Sequence, residues 1–190
     1  MNAKLKRFFW NTVIIICCFM ALMVFAGDKM LKLAGLEYGV EAIEYSKQLV
    51  TMDGVALNTL LKAGEKPRPT ILLLYASWCP YCKQQFQILK ALQMRYPPEM
   101  LQIAYISVEN SPYALSDFLM KTYPDKPFTQ YYVTNEARES FLTALHEHGA
   151  SFNGGVPYLI FFDRNGQKAQ EIQGMAQVSQ ILEIVKPLVE

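Results

Sequence analysis

Of the four cysteines in this 190-residue chain, Cys79 and Cys82 stand three positions apart in the stretch YASWCPYCKQQ, residues 75–85. An apolar run precedes them directly and a helical pattern follows directly. Thiols spaced i and i+3 at the mouth of a helix can face each other, so this spacing permits a reversible disulfide. At a helix N-terminus the unpaired N–H groups and the helix dipole favour negative charge, which favours the thiolate of Cys79. Cys79 is therefore the expected attacking sulfur, and Cys82, deeper in the helix, the expected resolving one. Pro80 suits the first helical turn, because its φ is fixed and it lacks an N–H that would be unpaired there.

Other uses of two thiols are half a zinc site, an inert structural disulfide and a soft-metal carrier. Structural zinc takes about four ligands. The other two cysteines, Cys17 and Cys18, lie in an apolar run. His146 and His148, the only histidines, are two apart and so do not share a helix face; both read as ordinary surface residues. No metal site and no cofactor are expected. Two thiolates can hold a soft cation such as copper, so a copper-carrying module stays among the readings.

Regular elements flank the pair on both sides. TILLLYAS, residues 70–77, is a continuous apolar run of strand length, as in a strand buried on both faces. From Cys82 to Tyr96 the apolar positions Phe86, Leu89, Leu92 and Tyr96 keep helical spacing until Pro97-Pro98 ends the helix. LQIAYISV, residues 101–108, is the next strand, which completes a β-α-β unit and predicts an α/β architecture with parallel strands. SPYALSDFLMKTY reads as a helix and FTQYYVT as a short strand. NEARESFLTALHEHG reads as a helix with Asn135 as N-cap and Gly149 as its stop. GGVPYLIFFDRNGQKAQEIQG reads as two strands joined at Asn165-Gly166, and the last helix has Val178, Ile181, Leu182 and Val185 on one apolar face. Ahead of the cysteines, Asp53-Gly54 reads as a tight turn after a short strand, and ALNTLLKAG as a short helix closed by Gly64.

About half the residues are apolar and the formal net charge is +1, with both signs interspersed and no basic stripe, which argues against a nucleic-acid partner. One globular domain accounts for residues 48–190. Before it, Lys4, Lys6 and Arg7 precede an uncharged run from Phe8 to Gly27. That run predicts a transmembrane anchor, with the N-terminus cytoplasmic and the domain outside. A cleaved signal peptide ending at Val24, Phe25 and Ala26 delivers the domain to the same side. Residues 1–27 are thus anchor or signal, and residues 28–47 a stalk, linker or early helix. Cys17 and Cys18 read as membrane filler; bulky Ile16 weighs against lipid attachment.

LLLYASWCPYC, residues 72–82, resembles the active-site strand and turn of the thioredoxin superfamily, and GGVPYLIFFDRNG, residues 154–166, resembles its second signature. The long interval from Val108 to Pro157 and the MDG opening near Asp53 are similar to the TlpA-like, membrane-tethered thiol-disulfide oxidoreductases of bacteria. The resemblance implies a thioredoxin-like fold, a central mixed sheet flanked by helices, preceded by one N-terminal transmembrane helix. It implies a cis Val156-Pro157 bond lying against the cysteine pair, where it keeps metal out and frees backbone groups to pair with an extended substrate. Trp78 would shield the sulfurs; its plainer reading is a packing residue. It further implies reduction or shuffling of protein disulfides on the periplasmic side of a bacterial inner membrane. The expected partners are cysteine-containing extracytoplasmic proteins, apocytochromes among them, and a membrane electron donor or acceptor.

Two departures bear on that expectation. Leu73 stands where thioredoxins usually keep a buried acidic residue, so Glu109 becomes the candidate proton acceptor, with a solvated loop charge as its plainer reading. The dipeptide Pro80-Tyr81 is that of glutaredoxins, which keeps a disulfide-forming oxidant in play. A metallochaperone or assembly factor retaining the fold is the non-enzymatic alternative.

Overall fold

A computed structural model describes residues 13–23, 26, 38–62, 67–124 and 128–190. The elements in chain order are α1 (Gly39–Ser46), β1 (Val50–Thr51), α2 (Gly54–Leu61), β2 (Thr70–Tyr75), α3 (Pro80–Arg95), β3 (Gln102–Ser107), α4 (Pro112–Thr122), β4 (Gln130–Tyr132), α5 (Arg138–Glu147), β5 (Tyr158–Phe162), β6 (Lys168–Gln173) and α6 (Val178–Val189). The strands form one six-stranded sheet in the order β1-β4-β3-β2-β5-β6. β1, β4, β3 and β2 pair parallel, whereas β5 pairs antiparallel with β2 and β6. The sheet is mixed and flanked by helices on both faces.

β2 lies between β3 and β5, and all six of its residues are buried. Alternation sends its side chains to two different cores. Ile71, Leu73 and Tyr75 join Phe86 and Leu89 of α3, Leu115 and Leu119 of α4, and Ile181 and Val185 of α6. Leu72 and Leu74 join Leu57 and Leu61 of α2 and Phe141 and Leu145 of α5. Both cysteines belong to the first of these cores.

Several local expectations are corrected by tertiary packing. Asp53-Gly54 follows the short strand β1 as expected but starts a helix instead of a tight turn: the Asp53 carboxylate caps α2, accepting from the Ala56 N–H at 2.7 Å. Gly54 is required by close approach, since a Cβ there would stand 2.5 Å from the Ser140 carbonyl oxygen of α5. Asn135 does not cap α5; Thr134 Oγ1 accepts from the Ala137 N–H at 3.2 Å in the turn that leads into it. The expected hairpin at Asn165-Gly166 is present, β5 pairing antiparallel with β6; Asp163 Oδ1 accepts from the N–H groups of Asn165 and Gln167, and Gly166 takes φ +72°. His148 is not an ordinary surface residue. It is half-buried, with Nε2 2.7 Å from Asn58 Oδ1 and Nδ1 3.0 Å from the Gly166 carbonyl oxygen. Val178 is 51% exposed, so the buried face of α6 rests on Ile181 and Val185.

α1 lies within the segment read as stalk, linker or early helix. Its Ala42 and Tyr45 are buried and Tyr45 joins the cysteine-side core, so packed structure reaches back to this helix. Residues 13–23 are helical with exposed side chains, including Cys17 and Cys18. Among the described residues no helix is long and apolar enough to cross a membrane. The rest of the expected anchor, 8–12, 24–25 and 27, lies outside the described residues, as does Gly64.

Candidate functional site

The cysteines sit where β2 hands over to α3. After Tyr75 the chain turns through Ala76, Ser77 and Trp78, closed by the Cys79 N–H donating to the Ala76 carbonyl at 3.1 Å. Cys79 has extended backbone and is the N-cap of α3, and Pro80 follows within the first turn. Its Sγ accepts from the Cys82 N–H at 3.1 Å, the role a serine or aspartate oxygen plays at other helix starts. Cys79 and Cys82 are joined by a disulfide with Cα atoms 5.3 Å apart. They are 2% and 0% exposed.

The aromatic residues around the pair face outward. Trp78 is 71% and Tyr81 60% exposed, so Trp78 is not a packing residue.

Glu109 is buried, at 6% exposure, and not a solvated loop charge. Its carboxylate accepts from the Ser77 N–H at 3.3 Å, from Ser77 Oγ at 2.6 Å and from Ser107 Oγ at 3.2 Å. Burial pushes its carboxyl pKa up and these hydrogen bonds pull it back only in part, leaving it above the ordinary carboxylate value. The hydrogen bonds go to serines, not to either sulfur. They fix the loop that delivers Cys79. Leu73, the residue in the thioredoxin acid position, is wholly buried in the apolar core.

The second expected signature lies on the segment between α5 and β5. The Val156-Pro157 bond is cis, Val156 packs on the core that contains both cysteines, and Pro157 is buried. The Gly174 N–H donates to the Pro157 carbonyl at 2.8 Å, tying the exit of β6 to the same place. A cleft of about 330 Å³ is lined by Val108, Phe141, Phe152, Arg138 and Gly154 among others, on the core opposite the one that holds the cysteines. Arg138 is held there by the Val108 carbonyl at 3.1 Å and Asn110 Oδ1 at 2.9 Å.

Sequence reasoning missed Gln85. It follows Cys82 by three residues on the buried side of α3 and is fully buried. Its Oε1 accepts from the Ala176 N–H at 2.9 Å, while its Nε2 has no hydrogen-bond partner. A signal was available: Cys82, Gln85, Phe86 and Leu89 keep i, i+3, i+4, i+7 spacing, which puts a carboxamide on an apolar face. Ser77 and Ser107 were also missed, since nothing in the sequence marks which serines will meet a buried carboxylate.

Beyond Gln85, Phe86 meets Tyr75 edge-on at 4.7 Å and stacks on Tyr105 at 4.9 Å and Tyr123 at 5.1 Å. Burial raises the hydroxyl pKa of Tyr75 well above its ordinary value and pushes Tyr123 up to about 12. These tyrosines are neutral packing groups near neutral pH. Among the described residues no group of three or more His, Cys, Asp or Glu side chains could hold a metal ion.

The sequence matches the family model described as a thioredoxin-like domain over residues 57–188. No curated protein matches the chain by sequence. A thioredoxin-family thiol:disulfide interchange protein from Chlorobium tepidum TLS superposes with a TM-score of 0.53 at 16% identity, over 66% of this chain and 82% of that one. The thioredoxin domain of a thiol-disulfide oxidoreductase from Bacteroides vulgatus gives 0.51 at 12% identity, over 66% and 81%. At these identities the likeness is one of fold.

Proposed function

The chain belongs to the thioredoxin-like domain family, and from that premise we propose that it is a thiol-disulfide oxidoreductase working through Cys79 and Cys82. The observation that carries this reading is the Cys79 sulfur serving as hydrogen-bonded N-cap of α3 while bonded to a Cys82 that is 0% exposed. The N–H that meets Sγ in the disulfide is placed to meet a thiolate in the dithiol form, and the helix terminus adds its partial positive charge.

In the reducing direction the Cys79 thiolate attacks a substrate disulfide. A bond forms between Cys79 Sγ and one substrate sulfur, and the other leaves with the electron pair as a thiolate. Cys82 then attacks Cys79 Sγ, forming the intramolecular disulfide and releasing the second substrate sulfur as a thiolate. Two electrons pass to the substrate, and an external dithiol must restore the pair. The proton lost by Cys82 goes to water or to Glu109, a carboxyl that burial suits to hold a proton at higher pH than an exposed one. Pro157 and Val156, beside the same core, are assigned to shaping the surface where an extended substrate pairs with backbone and to keeping metal from the sulfurs. Trp78, Pro80 and Tyr81 complete the rim that a partner meets.

The finer reading is a TlpA-like reductant or isomerase of extracytoplasmic disulfides, held at a bacterial inner membrane through residues 8–27 and recharged by a membrane electron donor. It is supported by the basic residues and apolar run at the N-terminus, together with the long interval from Val108 to Pro157. Insulin disulfide reduction by the wild-type chain and by Cys79→Ser tests the activity; loss in the variant is expected, and full activity there ends the reading. The reduction potential decides direction. A value toward roughly −270 mV marks an electron donor and one toward roughly −120 mV a disulfide-forming oxidant.

A further inference from the structure

We propose that Gln85 is a positioning residue for the exchange, its side-chain N–H donor being reserved for the sulfur that Cys82 exposes when the disulfide opens. The inference rests on the thiol-disulfide reading above and names a device within that same site.

The orientation of this carboxamide is fixed by its neighbour. Only the oxygen can accept from the Ala176 N–H at 2.9 Å, so the Nε2 end must point elsewhere. Gln85 and Ala176 are both 0% exposed, and Ala176 belongs to the core that contains Cys79 and Cys82. Nε2 is therefore a buried donor with no acceptor while the sulfurs are bonded to each other. An unsatisfied buried donor is destabilising, a cost that an apolar side chain of similar size at this position would not incur.

The acceptor supplied by the reaction is one helical turn away. Residues at i and i+3 are neighbours on a helix, with Cβ atoms about 5–6 Å apart, and a glutamine side chain spans that gap. When an incoming dithiol attacks Cys79, a bond forms between its sulfur and Cys79 Sγ. The Sγ–Sγ bond breaks, and Cys82 departs carrying the electron pair. The substrate's second thiol then displaces Cys79, completing a two-electron reduction. Cys82 is buried, so its new charge or lone pair gains little from water. The Gln85 N–H satisfies it, and the donor left idle in the disulfide form is satisfied in the same event. Both changes favour the dithiol form, so Gln85 raises the reduction potential of the pair.

Two variants of the full chain test this, with redox state and alkylation resolved by mass at residues 79 and 82 so that Cys17 and Cys18 do not contribute. Gln85→Met removes donor and acceptor together, and about a tenfold fall in the equilibrium constant for reduction by glutathione is expected, about 30 mV. Gln85→Glu keeps an oxygen for the Ala176 N–H and replaces the donor with a charged acceptor. It should fold with the tie to Ala176 intact and shift the equilibrium in the same direction at neutral pH, less so in acid where the carboxyl is protonated. In a Cys79→Ser background, both variants should raise the pH at which Cys82 becomes reactive toward iodoacetamide. The other titratable groups on adjoining elements, Tyr75 of β2 and Glu109 after β3, are unchanged throughout.

A purely structural Gln85 would lower the denaturation midpoint in Gln85→Met and leave both redox readouts at wild-type values, which overturns the proposal. Should Gln85→Met not fold, an unshifted potential in Gln85→Glu overturns it equally. Failure of the underlying reading looks different: the wild-type pair itself would not equilibrate with glutathione.

Discussion

On the α2/α5 side of the sheet, Leu72, Leu74, Ile106, Ile160 and Phe162 meet Leu57, Leu61 and Phe141, joined by the Tyr158 ring and, edge-on to Phe162, by His148. On the other side the same strands meet α3, α4 and α6 through the cysteines, a stack of tyrosine and phenylalanine rings, and a buried glutamine. Among the described residues, the unpaired buried atoms Tyr75 Oη, Gln85 Nε2, Tyr123 Oη and Gln130 Oε1 fall on or toward this second side, Gln130 by its alternation with Tyr132. The polar tie nearest the first side leaves each His148 ring nitrogen beside a polar partner, Nε2 at the Asn58 carboxamide and Nδ1 at the Gly166 carbonyl. One side is optimised for stability, and the other gives up part of it where the redox pair sits, a pattern expected at functional sites.

The largest effects test whether the two sides separate stability from exchange. Phe141→Ala and Phe86→Ala should each cost about 3–5 kcal/mol in urea denaturation. Only Phe86→Ala should also slow exchange per folded molecule, because its ring ties α3 to Tyr75 and Tyr105 of the sheet one turn beyond Cys82. Equal slowing by both would dissolve the contrast. His148→Ala removes two hydrogen bonds and should cost about 1–3 kcal/mol while leaving the reduction potential at the wild-type value.

Smaller shifts sharpen the picture on the cysteine side. Tyr75→Phe deletes a buried hydroxyl without a partner and should be neutral or stabilising by up to about 1 kcal/mol, seen as a melting temperature raised by at most about 2–4 °C. A drop of several degrees would mean that the hydroxyl is paired in solution. The smallest effect concerns Glu109, whose carboxyl titrates above its ordinary range in the folded chain. An acid raised on folding contributes most stability below its unfolded pKa, roughly 4.3, and loses that contribution as pH rises through the higher folded value. Glu109→Gln should therefore lessen the decline in melting temperature from that range upward. An unchanged pH profile would show that the serine hydrogen bonds offset burial completely.

What could be read from the chain was local periodicity and its punctuation. TILLLYAS declared a strand buried on both faces, and the spacing of Phe86, Leu89 and Leu92 gave the helix behind the cysteines. Asp53-Gly54 misled because the same dipeptide serves a turn or a helix cap, and only the approach of Ser140 distinguishes them. The plainer, solvated reading of Glu109 and the surface reading of His148 both fail because burial of a polar side chain depends on partners distant in sequence, Ser77 and Asn58 respectively. Gln85 shows the opposite case, a buried position that helical spacing alone would have exposed.

β1 contributes two residues, and β6 is the polar run KAQEIQ with Lys168 and Glu171 paired across it at 3.2 Å. A short margin and a charged one are poor templates for a foreign strand. If its partners are proteins with open disulfides, as proposed, their partly unfolded chains would bring aggregation-prone segments to these borders. With both borders blunted, such a chain finds no long apolar edge along which to grow a fibril.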